Sequence, residues 1–249
     1  MRRTVAIMPL SPVARRSVPD DVYDQLLGEM LDGGLAAGEP LPSERRLAEV
    51  LGVSRPAVRE AMQRLAQAGF VDVRQGDSTT VRDFRRVGGL DLLPRLLLVR
   101  GDLDLRVARS ILEARAHVGP KIAELAARRG GPDVARLLAE AVDALRADTD
   151  GVRRQLVALT FWEHLLEAAD SITFRLMFNS MRAAYEPLIE ALAPLMAAEV
   201  DRVDAYAALA EAVAAGDVEL ARRCAVDLLG AATSSLVDAI EQVERQEDA

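Results

Sequence analysis

Apolar residues recur at helical spacing near the start of the chain. Val22, Leu26 and Met30 fall four apart behind an acidic opening at Asp20 and Asp21, which predicts an amphipathic helix over 20–31. Gly33, Gly34, Gly38, Pro40 and Pro42 then break the pattern. Ser43 can cap a second helix with Leu47, Ala48 and Leu51 on one side, closed by Gly52 at the position where helices favour glycine. Ser54 can cap a third, which tolerates Pro56 in its first turn and runs to Ala68 before Gly69. Residues 70–74, Phe-Val-Asp-Val-Arg, alternate as a half-buried strand does. Gln75, Gly76, Asp77 and Ser78 form a turn, and residues 79–82 return as a second strand. Three helices and a small hairpin predict a winged helix-turn-helix.

From Asp91 onward no strand pattern recurs. Gly-Pro, Gly-Asp and Asp-Gly breaks divide the rest into helices near 91–99, 104–128, 133–148, 152–169, 172–198, 201–214 and 217–245. Pro187 and Pro194 should kink or split the fifth of these. The expected fold is mainly α, a winged helix-turn-helix followed by an all-α antiparallel bundle. The expected domains are a flexible arm over 1–18, a DNA-binding domain over 19–83, a linker over 84–92, and an effector-binding and dimerisation domain over 93–249.

Composition changes this picture in three places. The net charge of −8 speaks against nucleic acid until it is divided: residues 1–86 carry 13 basic and 12 acidic side chains, whereas residues 87–249 carry 18 and 27. The acidity belongs to the second half, and the arginines of the first half are grouped. A lone Cys224 excludes an intrachain disulfide and suits a cytoplasmic protein. The two arginines and short apolar run within residues 1–14 are interrupted by Pro9 and Pro12, so a mobile arm is expected there rather than a targeting signal. No stretch approaches a membrane span.

The third helix carries the candidate chemistry. Val58, Met62 and Leu65 form its apolar stripe, while Arg55, Arg59 and Gln63 share another face. Arginines near a helix N-terminus suit the major groove, where guanidinium meets guanine O6 and N7. Arg45 lies early on the preceding helix, and Gln75 and Gly76 at the hairpin tip suit the adjacent minor groove. The competing reading is a solvated face paired with Glu44, Glu49 and Glu60. Caps, turn and wing coincide, however, and favour DNA. Residues 41–65, Leu-Pro-Ser-Glu-Arg-Arg-Leu-Ala-Glu-Val-Leu-Gly-Val-Ser-Arg-Pro-Ala-Val-Arg-Glu-Ala-Met-Gln-Arg-Leu, with the wing Gly-Phe-Val-Asp-Val-Arg-Gln-Gly at 69–76, resemble the GntR family of bacterial regulators. That resemblance implies double-stranded DNA as partner, with Arg45, Arg55 and Arg59 contacting it, Ser54 on phosphate and Gly76 at the wing tip. Asp77 departs from it by placing an acid near the phosphates.

The all-helical second half is similar to the FadR-like group, through Arg-Ser-Ile-Leu-Glu at 109–113 and Ala-Gly-Asp at 215–217. Many members hold a metal with one Asp and three His. Here Ala158, Trp162, Tyr206 and Leu228 fall at or near those positions, and a two-residue slip to His164 would turn the side chain by roughly 200°. No metal and no cofactor are therefore expected, and His117 and His164 read as ordinary surface or packing residues.

Residues 81–93 are similar to the linker of the fatty-acid-responsive FadR branch. By that resemblance Leu112, Arg115, Tyr185, Leu192, Gly230 and Thr233 line an effector cavity. The implied effector is a long-chain acyl-CoA or fatty acid, acting on lipid metabolism genes. Another carboxylic metabolite, or a protein partner, are the alternatives. The implied assembly is a homodimer on a palindromic operator, with no membrane partner. Glu163, His164 and Glu167 cluster on one helix, but no nucleophile accompanies them, and the chain is not expected to be an enzyme.

Overall fold

The computed structural model describes residues 17–73, 78–99 and 102–247. The expected arm over 1–18 falls almost wholly outside them. The chain divides into two compact units, Met1–Gly89 and Leu90–Ala249.

In the first unit Ser17 caps helix α1 (Val18–Leu31) through a capping box, its hydroxyl accepting from the Asp20 amide while the Asp20 carboxylate accepts from the Ser17 amide. Val22, Leu26, Leu27 and Met30 face inward and α1 packs on α3. Helix α2 (Glu44–Leu51) starts at a Ser43 cap and stops at Gly52, whose φ of 66° suits glycine. Helix α3 (Arg55–Gln67) buries Ala57, Val58, Ala61, Met62 and Leu65. Strands β1 (Val71–Asp72) and β2 (Thr80–Val81) pair antiparallel, Val71 opposite Val81. The segment that reads as a break between α1 and α2 adds a third edge. Pro40 bridges Thr80, the Leu41 amide donates to the Thr79 carbonyl at 2.7 Å, and the Val81 amide donates to the Glu39 carbonyl at 2.9 Å. Proline at a sheet edge costs no ladder bond. A short helix α4 (Phe84–Val87) capped by Asp83 ends the unit.

The second unit opens with a 3₁₀ turn (Leu90–Leu92) and helix α5 (Leu93–Leu97). It then departs from the expected helix over 91–99: β3 (Leu98–Val99) and β4 (Asp102–Leu103) pair as a minimal hairpin. Two-residue strands leave no alternation to detect. The bundle follows as α6 (Leu105–Arg129), α7 (Pro132–Ala147), α8 (Gly151–Ala169), α9 (Ile172–Tyr185), α10 (Ile189–Val200), α11 (Val203–Ala214) and α12 (Val218–Glu247).

Pro187 splits the fifth expected segment, placing a 3₁₀ turn (Glu186–Leu188) between α9 and α10, while α10 continues through Pro194. Helix α6 packs against α12 and α8, and α7 and α11 close the core. Leu138, Leu145, Phe161, Leu165, Tyr206, Leu209 and Leu228 are fully buried there. Arg129 donates from Nη1 to the carbonyls of Ala169 and Asp170 at 2.5 and 3.2 Å, satisfying the end of α8. No described helix is long and apolar enough to cross a membrane.

Candidate nucleic-acid interface and effector cavity

Arg45, Ser54, Arg55 and Arg59 are all exposed on α2, α3 and the turn between them. Gln75 and Gly76 lie outside the described residues. Arg45 donates to Glu49 at 3.0 Å. Arg59 clasps Glu44 across the two helices, with Nε at 3.1 Å from each carboxylate oxygen and Nη2 at 2.8 Å from one. Those hydrogen bonds hold the Glu44 carboxyl below its ordinary value. Among the described residues Arg55 has no ion-pair partner. The solvated-face reading is thus realised for two of the three arginines. It does not displace the DNA reading, because such exposed pairs contribute about 0–1 kcal/mol and yield readily to phosphate.

Ser54 has the extended backbone of an N-cap, yet its hydroxyl makes no capping bond.

Arg64 escaped the sequence reading. It donates to Asp20 at 2.5 Å and lies 4.5 Å over the Tyr23 ring, fastening α1 to α3. The Ser17 hydroxyl and Arg64 together lower the Asp20 carboxyl to about 2. With the partners 44 positions apart, no local pattern announces the contact.

The second unit holds a partly open cavity of about 320 Å³ among α5, β4, α6, α8, α9, α10 and α12. Its walls are mainly Leu, Ile, Met and Phe side chains. Leu112, Arg115, Tyr185 and Leu192 line it, whereas Gly230 and Thr233 are not among its walls. Helix α12 presents Leu229 instead, and the Thr233 hydroxyl donates back to the Leu229 carbonyl at 2.8 Å.

Arg115, Gln155, Tyr185 and Glu199 among its walls, with Tyr206 behind them, form a polar group of five residues. Arg115 on α6 pairs with Glu199 on α10, which is 1% exposed. The Tyr206 hydroxyl donates to Glu199 Oε1 at 3.0 Å. The Tyr185 hydroxyl donates to Gln155 Oε1, and Gln155 Nε2 donates to the Gly151 and Ile189 carbonyls at 3.0 and 3.1 Å. Burial works against the Arg115 charge, but the Glu199 carboxylate outweighs it and raises the guanidinium above its ordinary range. Burial, then the nearby Glu199 charge, pushes the Tyr206 phenol well above its ordinary value. Burial raises Tyr185 as well, against the opposing pull of Arg115.

Glu199 and Gln155 are functional candidates that the sequence reading missed. A signal for Glu199 existed. Leu192, Met196 and Glu199 form an i, i+4, i+7 stripe, and an acid in the last turn of an apolar helix opposes the helix dipole unless it has a partner.

The positions compared with metal ligands, Ala158, Trp162, Tyr206 and Leu228, all lie in the hydrophobic core. Two aliphatic side chains, an indole and a phenol kept protonated by burial are not a donor set for a divalent cation. Glu163, once weighed for acid–base chemistry, is tied to Arg182.

A three-helix domain with a hairpin wing, carried in one chain with a helical unit around an apolar cavity, is the build of a ligand-responsive DNA-binding regulator. The model of the bacterial regulatory proteins of the gntR family matches residues 19–81, and that of the FCD domain matches residues 110–231. Over 240 residues the chain is 53% identical to the HTH-type transcriptional regulator Mce2R of Mycobacterium tuberculosis, covering 96% of this chain and 100% of that one. The chain belongs to the gntR family: it is a transcription regulator and not an enzyme. It is also 28% identical over 144 residues to the fatty acid metabolism regulator protein of Vibrio vulnificus, across 58% of this chain and 49% of that protein. The solved structure of Lar from Listeria monocytogenes, 18% identical, covers 89% of this chain and 97% of its own with a TM-score of 0.53, a likeness of fold alone.

Proposed function

We propose that the protein is a dimeric regulator of lipid metabolism genes whose grip on a palindromic operator is controlled by an acyl-chain effector, a fatty acid or its CoA thioester, held in the cavity of the second unit. The observation that carries this reading is the cavity itself: aliphatic and aromatic walls with the Arg115–Glu199 pair among them. Such a space matches a hydrocarbon chain with a single head group. Similarity to a fatty acid metabolism regulator supports the same reading. Arg45, Arg55, Arg59 and Ser54 meet the DNA, and Gln75 and Gly76 are expected to add contacts to it. An effector acts only by preferring one of two states of the protein.

The test is displacement from DNA bearing the protein's own operator, with fatty acids and acyl-CoAs of graded length and then with short carboxylates. Release by the long-chain compounds is expected. Release by short acids alone, or by none, refutes an acyl effector.

A further inference from the structure

Among the described residues two arginines line the cavity, and they differ in what they can give up. Arg115 is paired with Glu199, which is 1% exposed and also accepts from Tyr206. Drawing Arg115 away strands a buried carboxylate, which is the costly way to open an ion pair. Arg182 on α9 lines the same cavity, yet neither of its partners does. Its guanidinium binds Glu163 of α8, and its Nε donates to Glu186 at 2.7 Å. The three side chains are 35, 34 and 42% exposed. Arg182 therefore stands where the cavity wall meets solvent, in ion pairs that water replaces at little cost.

An acyl effector needs a group at that boundary. Its hydrocarbon chain gains by leaving water, whereas an ionised carboxylate or the phosphates of a CoA thioester must stay hydrated or paired. The acyl oxygen then comes to rest at the edge of the apolar space. Of the two lining arginines, Arg182 is the one whose carboxylate partners solvent can take over. Arg175, further back on α9, donates from Nη2 to the Glu163 carbonyl at 3.3 Å. A Glu163 carboxylate released from Arg182 is thus left beside a second guanidinium.

We propose that Arg182 holds the head of the effector at the rim of the cavity. Its guanidinium exchanges Glu163 for the carboxylate oxygen of a fatty acid or the carbonyl oxygen of an acyl thioester, while Arg115 keeps Glu199. This deepens the reading of the cavity as an acyl-effector site and rests on it. A guanidinium suits both heads, because its fork of N–H donors meets a carboxylate with two parallel bonds and a lone carbonyl with one.

Trp162 is the single tryptophan of the chain and lines the cavity, so its emission reports occupancy. The full-length protein is titrated at pH 7.5 with sodium dodecanoate, dodecanoyl-CoA and dodecan-1-ol, and its melting temperature is followed alongside. Arg182→Met keeps the apolar stem and removes the donors. It should weaken the acid, the thioester or both by about tenfold, the loss of one hydrogen bond to a charged group, and dodecanol by no more than about threefold. A loss confined to dodecanoate or to dodecanoyl-CoA identifies which acyl oxygen the arginine receives. Glu163→Gln removes the competing charge and leaves Arg182 in place, so the same ligand should bind about threefold more tightly. Both variants break the Arg182–Glu163 pair, and a merely structural tie would move affinity in the same direction in each. Should Arg182→Met fail to fold, a gain in Glu163→Gln supports the proposal by itself and no gain overturns it. Both variants weakening all three probes alike, or Arg182→Met binding the acid and the thioester as wild type does, overturns the proposal and leaves the effector reading standing. No change in wild-type emission or melting temperature with any of the three, or with their sixteen-carbon homologues, overturns both.

Discussion

Arg115→Met is the most informative single change in the second unit. It keeps the length and the apolar stem of the side chain, and it removes only the charge that faces Glu199. Glu199 is 1% exposed, so the variant retains a buried carboxylate whose remaining hydrogen bond comes from Tyr206. Breaking a buried pair in this way costs about 3–5 kcal/mol. Arg115 itself is 25% exposed, which lets some solvent relax the site and places the expected loss near ~3 kcal/mol. Replacing both partners, Arg115→Met with Glu199→Leu, removes the stranded charge but leaves the Tyr206 hydroxyl with no acceptor, a cost of roughly 1–3 kcal/mol. Adding Tyr206→Phe should recover most of that. Urea unfolding at pH 7.5 followed through Trp162 emission gives each value, and the pairwise coupling follows from the double-mutant cycle. The expected order is wild type close to the triple variant, then the double, then Arg115→Met. A single variant within ~1 kcal/mol of wild type, or a double variant as unstable as the sum of the two singles, refutes the account of a closed polar cluster in an apolar cavity.

Arg55→Ala should weaken operator binding by about 1–3 kcal/mol, measured by fluorescence anisotropy. If Arg55 meets phosphate rather than a base, the loss should be uniform across sequences, and the salt slope should fall by about one unit. Glu44→Gln frees Arg59 from its clasp, so non-specific DNA affinity at low salt should rise; an unchanged affinity would show that Arg59 does not reach the duplex. Leu192→Trp narrows the cavity and should abolish the response to effector while operator affinity without effector stays within twofold. Asp20→Asn should loosen α1, read as faster amide exchange in that helix. Because the folded Asp20 carboxyl sits at about 2, against 3.8 in the unfolded chain, the stabilisation is present above pH 3.8 and is lost as the pH falls through about 2. The difference between variant and wild type should therefore shrink as the pH falls from 3.8 and vanish only below about 2.

What the sequence made legible was local. The cap at Ser43, the stop at Gly52 and the stripe Val58, Met62, Leu65 each act over four to eight residues, and such patterns survive in one dimension. The split at Pro187 was visible for the same reason, while Pro194 was not distinguishable from it, because packing decides whether a helix absorbs a missing donor. The hairpin of β3 and β4 left no trace, and neither did the third edge at Pro40, since both are fixed by backbone hydrogen bonds to distant partners. In the cavity the resemblance supplied positions but not chemistry. It named Arg115 and omitted Glu199, the buried carboxylate that pairs with it. The pair spans 84 residues, and nothing short of the folded bundle brings the two together.

The same cavity suggests how occupancy is communicated along the chain. Its wall includes Leu97 at the end of α5 and Leu103 on β4, which belong to the first elements of the second unit. These elements are the shortest of the second unit: five helical residues and two strands of two residues each. The long helices are held by extensive packing and by capped ends such as that at Arg129. A ligand entering the cavity displaces the parts that cost least to move, and local opening energies are lowest where buried contacts are fewest. Because α5 is continuous in the chain with the 3₁₀ turn at Leu90–Leu92, its displacement acts on the linker through covalent connection and requires no contact between the units. Amide exchange of residues 90–98 should therefore change on adding an effector, while exchange in α6 and α8 changes little. Equal protection across all of these helices would mean that the whole bundle tightens together, and that the signal does not begin at α5.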